Sequence, residues 1–203
     1  MSDLWPYVTP GIPDALFEQL PGIPISKREV RLLLLGALRL RPSAVLWDVG
    51  AGTGTVAVEA GLLCPQGKIV AVERDEEVAA LIKTNCDRFG VTNVDIIVGN
   101  APECLDALPH QPDCVLIEGG QKGGEKLEHL LTEAWNQLVC PGRIVATASN
   151  FDMIHTISDT FATLAVQAIE VTQPAINRLE TRGASQVLRA VNPIFVISGE
   201  KKL

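Results

Sequence analysis

The stretch that most restricts what this chain can fold into is Asp48-Val49-Gly50-Ala51-Gly52-Thr53-Gly54, which follows directly on the apolar run Ala44 to Val49. A buried strand that breaks into closely spaced glycines and then resumes as a helix is the start of an open α/β unit. Ligands of such sheets bind at the carboxyl end of the strand. The glycines let the backbone turn tightly and let a ligand approach the main chain. The same alternation continues downstream. Apolar runs at Lys68 to Glu73, 94–98, 113–118 and 142–148 are interleaved with helical stretches after Gly54, over Asp75 to Phe89 (closed by Gly90), at 124–138 and at 151–163. Apolar strands separated by helices predict an α/β fold with a doubly wound, mostly parallel sheet and helices on both faces.

The final pair of runs, around 165–172 and 192–198, has no crossover helix between them, because 172–191 contains Pro174, Gly183 and scattered polar residues. An antiparallel terminal pair follows, which makes seven apolar runs in all. At the other end, residues 1–25 carry Pro6, Pro10, Pro13, Pro21 and Pro24 and read as an irregular arm. Ser26 and Glu29 have the spacing of a capping box for an apolar helix over 30–40, which Pro42 closes.

A length of 203 residues suits one domain spanning 1–203. The net charge of -7 argues against nucleic acid as a partner, since phosphate-tracking surfaces are basic. The five cysteines, Cys64, Cys86, Cys104, Cys114 and Cys140, lack Cys-x-x-Cys spacing and read as reduced core residues. The leucines 32–35 are bracketed by Arg31 and Arg39, and the beginning of the chain has no secretory pattern, so a cytoplasmic protein without a membrane span is expected.

The glycine loop also separates two cofactor classes. A dinucleotide fingerprint, Gly-x-Gly-x-x-Gly, would put its third glycine where Thr55 stands. Here it comes early, at Gly54, which favours S-adenosylmethionine over NAD. Asp48, Gly50, Ala51, Gly52, Thr53 and Gly54 are therefore cofactor-binding candidates. Glu73 ends the second strand, about where these folds set an acid against ribose hydroxyls. Gly99-Asn100-Ala101 ends the third, and the Asn amide offers a donor and an acceptor to a purine edge. After the fourth strand, Glu118 to Gly124 forms a glycine-rich lip where an acceptor would meet the donor, or else a plain loop. Glu118 is the catalytic candidate there, as a base or only a local hydrogen-bond acceptor. His110, His129 and His155 have no metal-ligand spacing, so no metal is expected, and no local motif favours hydrolysis.

Residues beyond the cofactor loop carry a further resemblance. Gly11-Ile12-Pro13-Asp14, Ser26-Lys27-Arg28-Glu29-Val30-Arg31, Gly99-Asn100-Ala101-Pro102-Glu103, Arg182-Gly183 and Asn192-Pro193, with the Asp48 to Gly54 loop, are similar to the decarboxylating precorrin-6B methylases of cobalamin (corrin) biosynthesis. The similarity spans nearly the whole chain. It implies a Rossmann-like class I methyltransferase fold, a seven-stranded, mostly parallel sheet with a reversed terminal strand. It also implies methyl transfer from S-adenosylmethionine to carbon 15 of a precorrin-6B or cobalt-precorrin-6B tetrapyrrole, with loss of carbon dioxide from the ring-C acetate, and a homotetramer. Ser26 then joins the cofactor side. Lys27, Arg31, Gly119, Gly120 and Arg182 fall to the substrate side, with Arg28, Arg178 and Arg189 as further clamps, because guanidinium forks pair bidentately with carboxylates. Residues 172–191 become a substrate-side insertion. Three departures from the family stand out: Asn100 for Asp, Ser26 for Thr, and Glu118 to Gly124 in place of a tighter Gly-Gly-Ser-Gly-Gly run.

Two other readings stay open. A methyltransferase acting on RNA, protein or another small molecule would share the cofactor half, since fold does not fix substrate. A non-catalytic S-adenosylmethionine-binding protein would retain the loop and Glu73 while drifting at the acceptor lip.

Overall fold

Strands β1 (Val45–Val49), β2 (Lys68–Glu73), β3 (Val94–Val98), β4 (Cys114–Ile117) and β5 (Gly142–Ala148) pair in parallel. The computed structural model describes residues 4–23, 25–118, 123–183 and 185–202. Two more strands, β6 (Gln167–Thr172) and β9 (Phe195–Lys201), complete a seven-stranded sheet in the order β3-β2-β1-β4-β5-β9-β6. β9 runs antiparallel to both of its neighbours, which is the reversed terminal strand expected. The order reverses between β1 and β4, and a crevice opens at that switch point.

Helices α1 (Arg28–Leu38), α2 (Thr55–Leu63) and α3 (Glu76–Phe89) cover one face, and α4 (Glu125–Gln137) and α5 (Phe151–Thr163) the other. Strand alternation sorts the side chains between two cores. Leu46, Ile69 and Leu116 pack with Leu34, Val56 and Ile82, whereas Trp47, Val70 and Val115 pack with Leu131, Ile157 and Phe161. Turn chemistry fixes the boundaries of α3: the Asp75 carboxylate accepts from the Glu77 and Val78 amides at 3.0 and 3.1 Å, and Gly90 ends the helix at φ 67°.

Two expectations are corrected, and the segment before β9 is more regular than expected. The capping box does not form: Lys27 is the N-cap of α1 without a side-chain bond, the Ser26 hydroxyl donates to Glu118, and Glu29 faces Arg178. Both side chains find charged partners across the cleft and leave the helix end. The segment between β6 and β9 contains a hairpin of its own, β7 (Asn177–Arg182) and β8 (Ser185–Ala190), paired antiparallel. Of the cysteines, Cys64, Cys86 and Cys114 are buried as expected, but Cys140 is exposed.

Among its described residues the arm is irregular apart from a short 3-10 turn at Asp14–Leu16, and buried side chains pin it to the body. Glu59 of α2 accepts from the Gly11 and Ile12 amides at 2.6 and 3.2 Å, and Asn85 of α3 accepts from the Glu18 amide at 2.7 Å. Among the described residues, no helix is long and apolar enough to cross a membrane.

Candidate active site

The carboxyl ends of the parallel strands open into a cavity of about 990 Å³. The glycine loop forms its floor. Gly50 and Ala51 donate to the Val72 carbonyl at 2.9 and 3.0 Å, which folds the loop over the end of β2. Gly50 has φ 84°, and a Cβ there would lie 2.0 Å from the Glu118 carbonyl oxygen; a Cβ at Gly54 (φ 77°) would lie 2.7 Å from Ile82. Only glycine fits either position.

Glu73 organises the loop as well as facing the cavity. One of its oxygens accepts from the Gly52 amide at 3.0 Å, and the other from the Arg74 and Asp75 amides at 2.9 and 3.1 Å. A carboxylate has lone pairs for further donors, so ribose hydroxyls still find acceptors. Asn100 is exposed on the wall at the end of β3, and its amide donates to Glu103 at 2.6 Å, which turns its carbonyl oxygen away from that partner.

Asp48 lies beneath the loop, 1% exposed, and neither carboxyl oxygen has a hydrogen-bond partner among the described residues. Burial first, then the charge of Glu118, push this carboxyl up to about 8. The Ala57 amide lowers it only in part and does not meet hydrogen-bond geometry. The Thr53 hydroxyl is also buried without a partner among the described residues. Glu118, partly buried at the end of β4, accepts from the Ser26 hydroxyl. Burial holds its carboxyl above the usual range, while the Ser26 bond and the Arg31 charge work the other way.

The predicted cofactor residues thus converge. Ser26, Gly50, Ala51, Gly52, Thr53, Glu73, Gly99, Asn100 and Ala101 line the one cavity, with Asp48 and Gly54 supporting its floor from behind. The basic candidates divide. Lys27, Arg178 and Arg189 line the cavity, whereas Arg28, Arg31 and Arg182 do not. Arg31 is corrected from substrate clamp to internal anchor. It is fully buried, pairs with Glu59 at 2.8 Å and Asp14 at 2.9 Å, and donates to the Ser26 and Ile12 carbonyls, leaving no donor edge facing the cavity. Arg182 pairs with Glu180 at 3.4 Å on the exposed side of the hairpin. Gly119 and Gly120 lie outside the described residues.

Sequence reasoning missed the latch that holds the hairpin. Arg178 of β7 pairs with Asp14 of the arm at 2.9 Å and with Glu29 of α1. Its hydrogen bonds draw the Glu29 carboxyl down to about 2. Asp14 is lowered too, because Arg31 and Arg178 outweigh its burial. It also missed Thr147, Ser149 and Met153, which close the wall from β5 and α5. Among the described residues, no group of histidine, cysteine and acidic side chains could hold a metal ion.

A glycine-floored crevice at the switch point, a seven-stranded sheet with one reversed strand, and an acid at the end of β2 define the class I S-adenosylmethionine-dependent methyltransferase fold. An S-adenosylmethionine-dependent O-methyltransferase of Thermotoga maritima, 19% identical, shares that fold at a TM-score of 0.71 over 88% of this chain and 67% of its own. Within the class, the precorrin methyltransferase domain family matches residues 17–201, and the chain belongs to that family. A Pyrobaculum calidifontis protein named "probable cobalt-precorrin-6B C(15)-methyltransferase (decarboxylating)" is 40% identical over 96% of this chain and 97% of its own. The crystal structure of a precorrin-6Y C5,15-methyltransferase from Geobacter metallireducens, 32% identical, superposes at a TM-score of 0.85 over 95% of this chain and 98% of its own.

Proposed function

We propose that this chain transfers a methyl group from S-adenosylmethionine to carbon 15 of an anionic tetrapyrrole of the precorrin-6B or cobalt-precorrin-6B type, with decarboxylation of the ring-C acetate, in cobalamin biosynthesis. The observation that carries the reading is the bipartite wall of the cavity. The glycine loop, Glu73 and Asn100 line one part, and Lys27, Arg178 and Arg189 line another. The first part suits a nucleoside and the second a polycarboxylate. Two features of the floor suit the donor in particular. Gly50 and Gly54 hold the loop in turns that only glycine fits, which keeps its backbone open to a ligand, and Glu118 and Glu73 set two carboxyls at the corner that a cationic ligand would meet.

The donor supplies an activated electrophile, its sulfonium methyl, and needs no Lewis acid to react. The protein's share is orientation. Glu73 fixes the ribose, and through the Gly52 amide it fixes the loop beneath it. Asn100 meets the adenine edge. Lys27, with Arg178 and Arg189 exchanging Asp14, Glu29 and Glu180 for substrate carboxylates, holds the acceptor. In favourable intramolecular models such positioning supplies about 7–11 kcal/mol of the barrier. We place the protein in the cytoplasm as a homo-oligomer, a tetramer by resemblance, without nucleic acid, membrane or metal as partner.

Incubation with methyl-labelled S-adenosylmethionine and the tetrapyrrole, read by mass spectrometry, tests this directly. Gain of the label with loss of carbon dioxide is the expected result. An unchanged tetrapyrrole beside tight cofactor binding overturns the substrate assignment.

A further inference from the structure

The strand order lays the recognition groups in a row. Asn100 stands at the end of β3, Glu73 at β2, the glycine loop at β1 and Glu118 at β4, along the sequence β3-β2-β1-β4 of neighbouring strands. With strands about 4.8 Å apart, the row spans roughly 14 Å. That is comparable with an extended nucleoside bearing an amino-acid tail. A cofactor whose base lies at β3 and whose ribose lies at β2 must carry its tail across the loop to the end of β4.

The groups at that end are unusual for a loop tip. Glu118 is partly buried, its oxygen is held by the Ser26 hydroxyl, and its main-chain carbonyl lies so close to Gly50 that a Cβ there would meet it at 2.0 Å. Behind it, Asp48 of β1 is buried without a partner among the described residues. Glu73 faces the corner from β2. The charge of Arg31 reaches the corner from α1, but its guanidinium is buried and committed to Asp14 and Glu59. The exposed Lys27 stands on the same wall, beside Ser26. The corner therefore presents a carboxylate with few neutralising partners, which is what an ammonium group requires.

We propose that Glu118 is the acceptor for the α-ammonium group of the cofactor's amino-acid tail, with Ser26 orienting its carboxylate. The inference rests on the S-adenosylmethionine reading and makes Glu118 a specificity determinant for the donor. It is not a base acting on the acceptor. An ammonium docked there completes a charge-assisted hydrogen bond in a partly desolvated site, where such bonds are strongest. The burial that raises the Glu118 carboxyl in the free chain makes that pairing more favourable, because the charge is otherwise poorly solvated.

Two ligands isolate the tail. S-adenosylhomocysteine carries it, and 5′-methylthioadenosine keeps the nucleoside and sulfur without it. Their affinities for the full chain and for Glu118→Gln are measured by titration calorimetry. The variant is expected to bind S-adenosylhomocysteine about tenfold or more weakly and 5′-methylthioadenosine within about twofold of the wild type, as the loss of one hydrogen bond to a charged group predicts. The unchanged nucleoside affinity certifies an intact fold. Equal weakening of both ligands, no weakening of either, or a wild type that gains nothing from the tail overturns the assignment of Glu118 while leaving the cofactor reading in place. A wild type that binds neither nucleoside overturns the cofactor reading, and this inference with it.

Discussion

At the scale of single residues, the buried charges separate anchoring from recognition. Arg31 holds the arm, α1 and α2 together through Asp14, Glu59 and two backbone carbonyls. Replacing it leaves the buried Glu59 carboxylate without its guanidinium, while Asp14 keeps Arg178, a loss that in comparable cases costs about 3–5 kcal/mol. Arg31→Met is therefore expected to lower the denaturation midpoint sharply, and Arg31→Lys to rescue it only in part, because an ammonium cannot reproduce the fork. A midpoint unchanged in Arg31→Met would return that residue to the list of surface clamps. Asp48 pulls the other way. Its carboxyl sits at about 8 in the folded chain against an ordinary 3.8, so the folded state binds the proton more tightly than the unfolded state. Its contribution is full below about pH 4, falls as pH rises towards 8 and is constant above. Glu29 has the opposite sign. Its carboxyl is drawn from 4.5 to about 2, so the stability it confers is present above pH 4.5 and lost as pH falls towards 2. Asp48→Asn should flatten the alkaline decline in melting temperature between pH 5 and pH 8 and leave the acid limb unchanged. A variant as pH-sensitive as the wild type over that window would mean that the carboxyl is solvated or paired.

At the scale of elements, the β1-loop-α2 unit has no tolerance for a methyl group. In Gly50→Ala the new Cβ would lie 2.0 Å from the Glu118 carbonyl at a φ of 84°, so both the loop and the end of β4 must shift. Forced backbone conformations of this kind cost about 1–3 kcal/mol each. Cofactor affinity should fall with stability, which thermal melts with and without S-adenosylhomocysteine would reveal as a lower melting temperature and a lost ligand-induced shift. Asn150→Ala offers a contrast, since removing the N-cap of α5 costs about 1 kcal/mol and Asn150 lies outside the cavity lining. Its ligand-induced shift should survive. These elements were legible in the sequence for a physical reason: apolar runs such as Lys68 to Glu73 must be buried, and glycines or acids at their ends mark where the sheet opens. The hairpin β7–β8 was not legible, because all of β8 and most of β7 are exposed and no apolar alternation betrays them. The arm's latch was equally hidden. Glu59 meets Ile12 across 47 positions, and Ser26 meets Glu118 across 92, separations over which local spacing carries no signal. The Ser26 and Glu29 spacing even pointed to a capping box, which lost to charged partners brought together only by the fold.

At the scale of the whole molecule, the open flank of the sheet is incomplete as it stands. β6 is an edge strand with every residue exposed, Ile169 and Val171 at 46% and 54%, and the adjoining hairpin exposes Leu179, Val187 and Leu188 at 59%, 46% and 67%. Edge strands with apolar side chains invite pairing, and an isolated two-stranded hairpin is marginal in water. Its ties to the body are the Arg178 pairs with Asp14 and Glu29 and, at its base, the packing of Ile176 against the core. Association of copies through a repeated patch would cover these strands by the symmetry that homo-oligomers favour. The wild type is therefore expected to elute as a tetramer, four times 21.8 kDa or about 87 kDa by light scattering, and Leu179→Glu with Leu188→Glu to elute as a smaller species. A wild-type monomer at micromolar concentration would exclude this surface as a stable interface. The consequence reaches the chemistry, because the hairpin carries Arg178 and Arg189 into the cavity wall while the glycine loop and Glu73 belong to the sheet. Dissociation should therefore raise KM for the tetrapyrrole and leave S-adenosylhomocysteine affinity near its wild-type value. Loss of both together would mean that the double substitution had unfolded the chain rather than released one wall of its site.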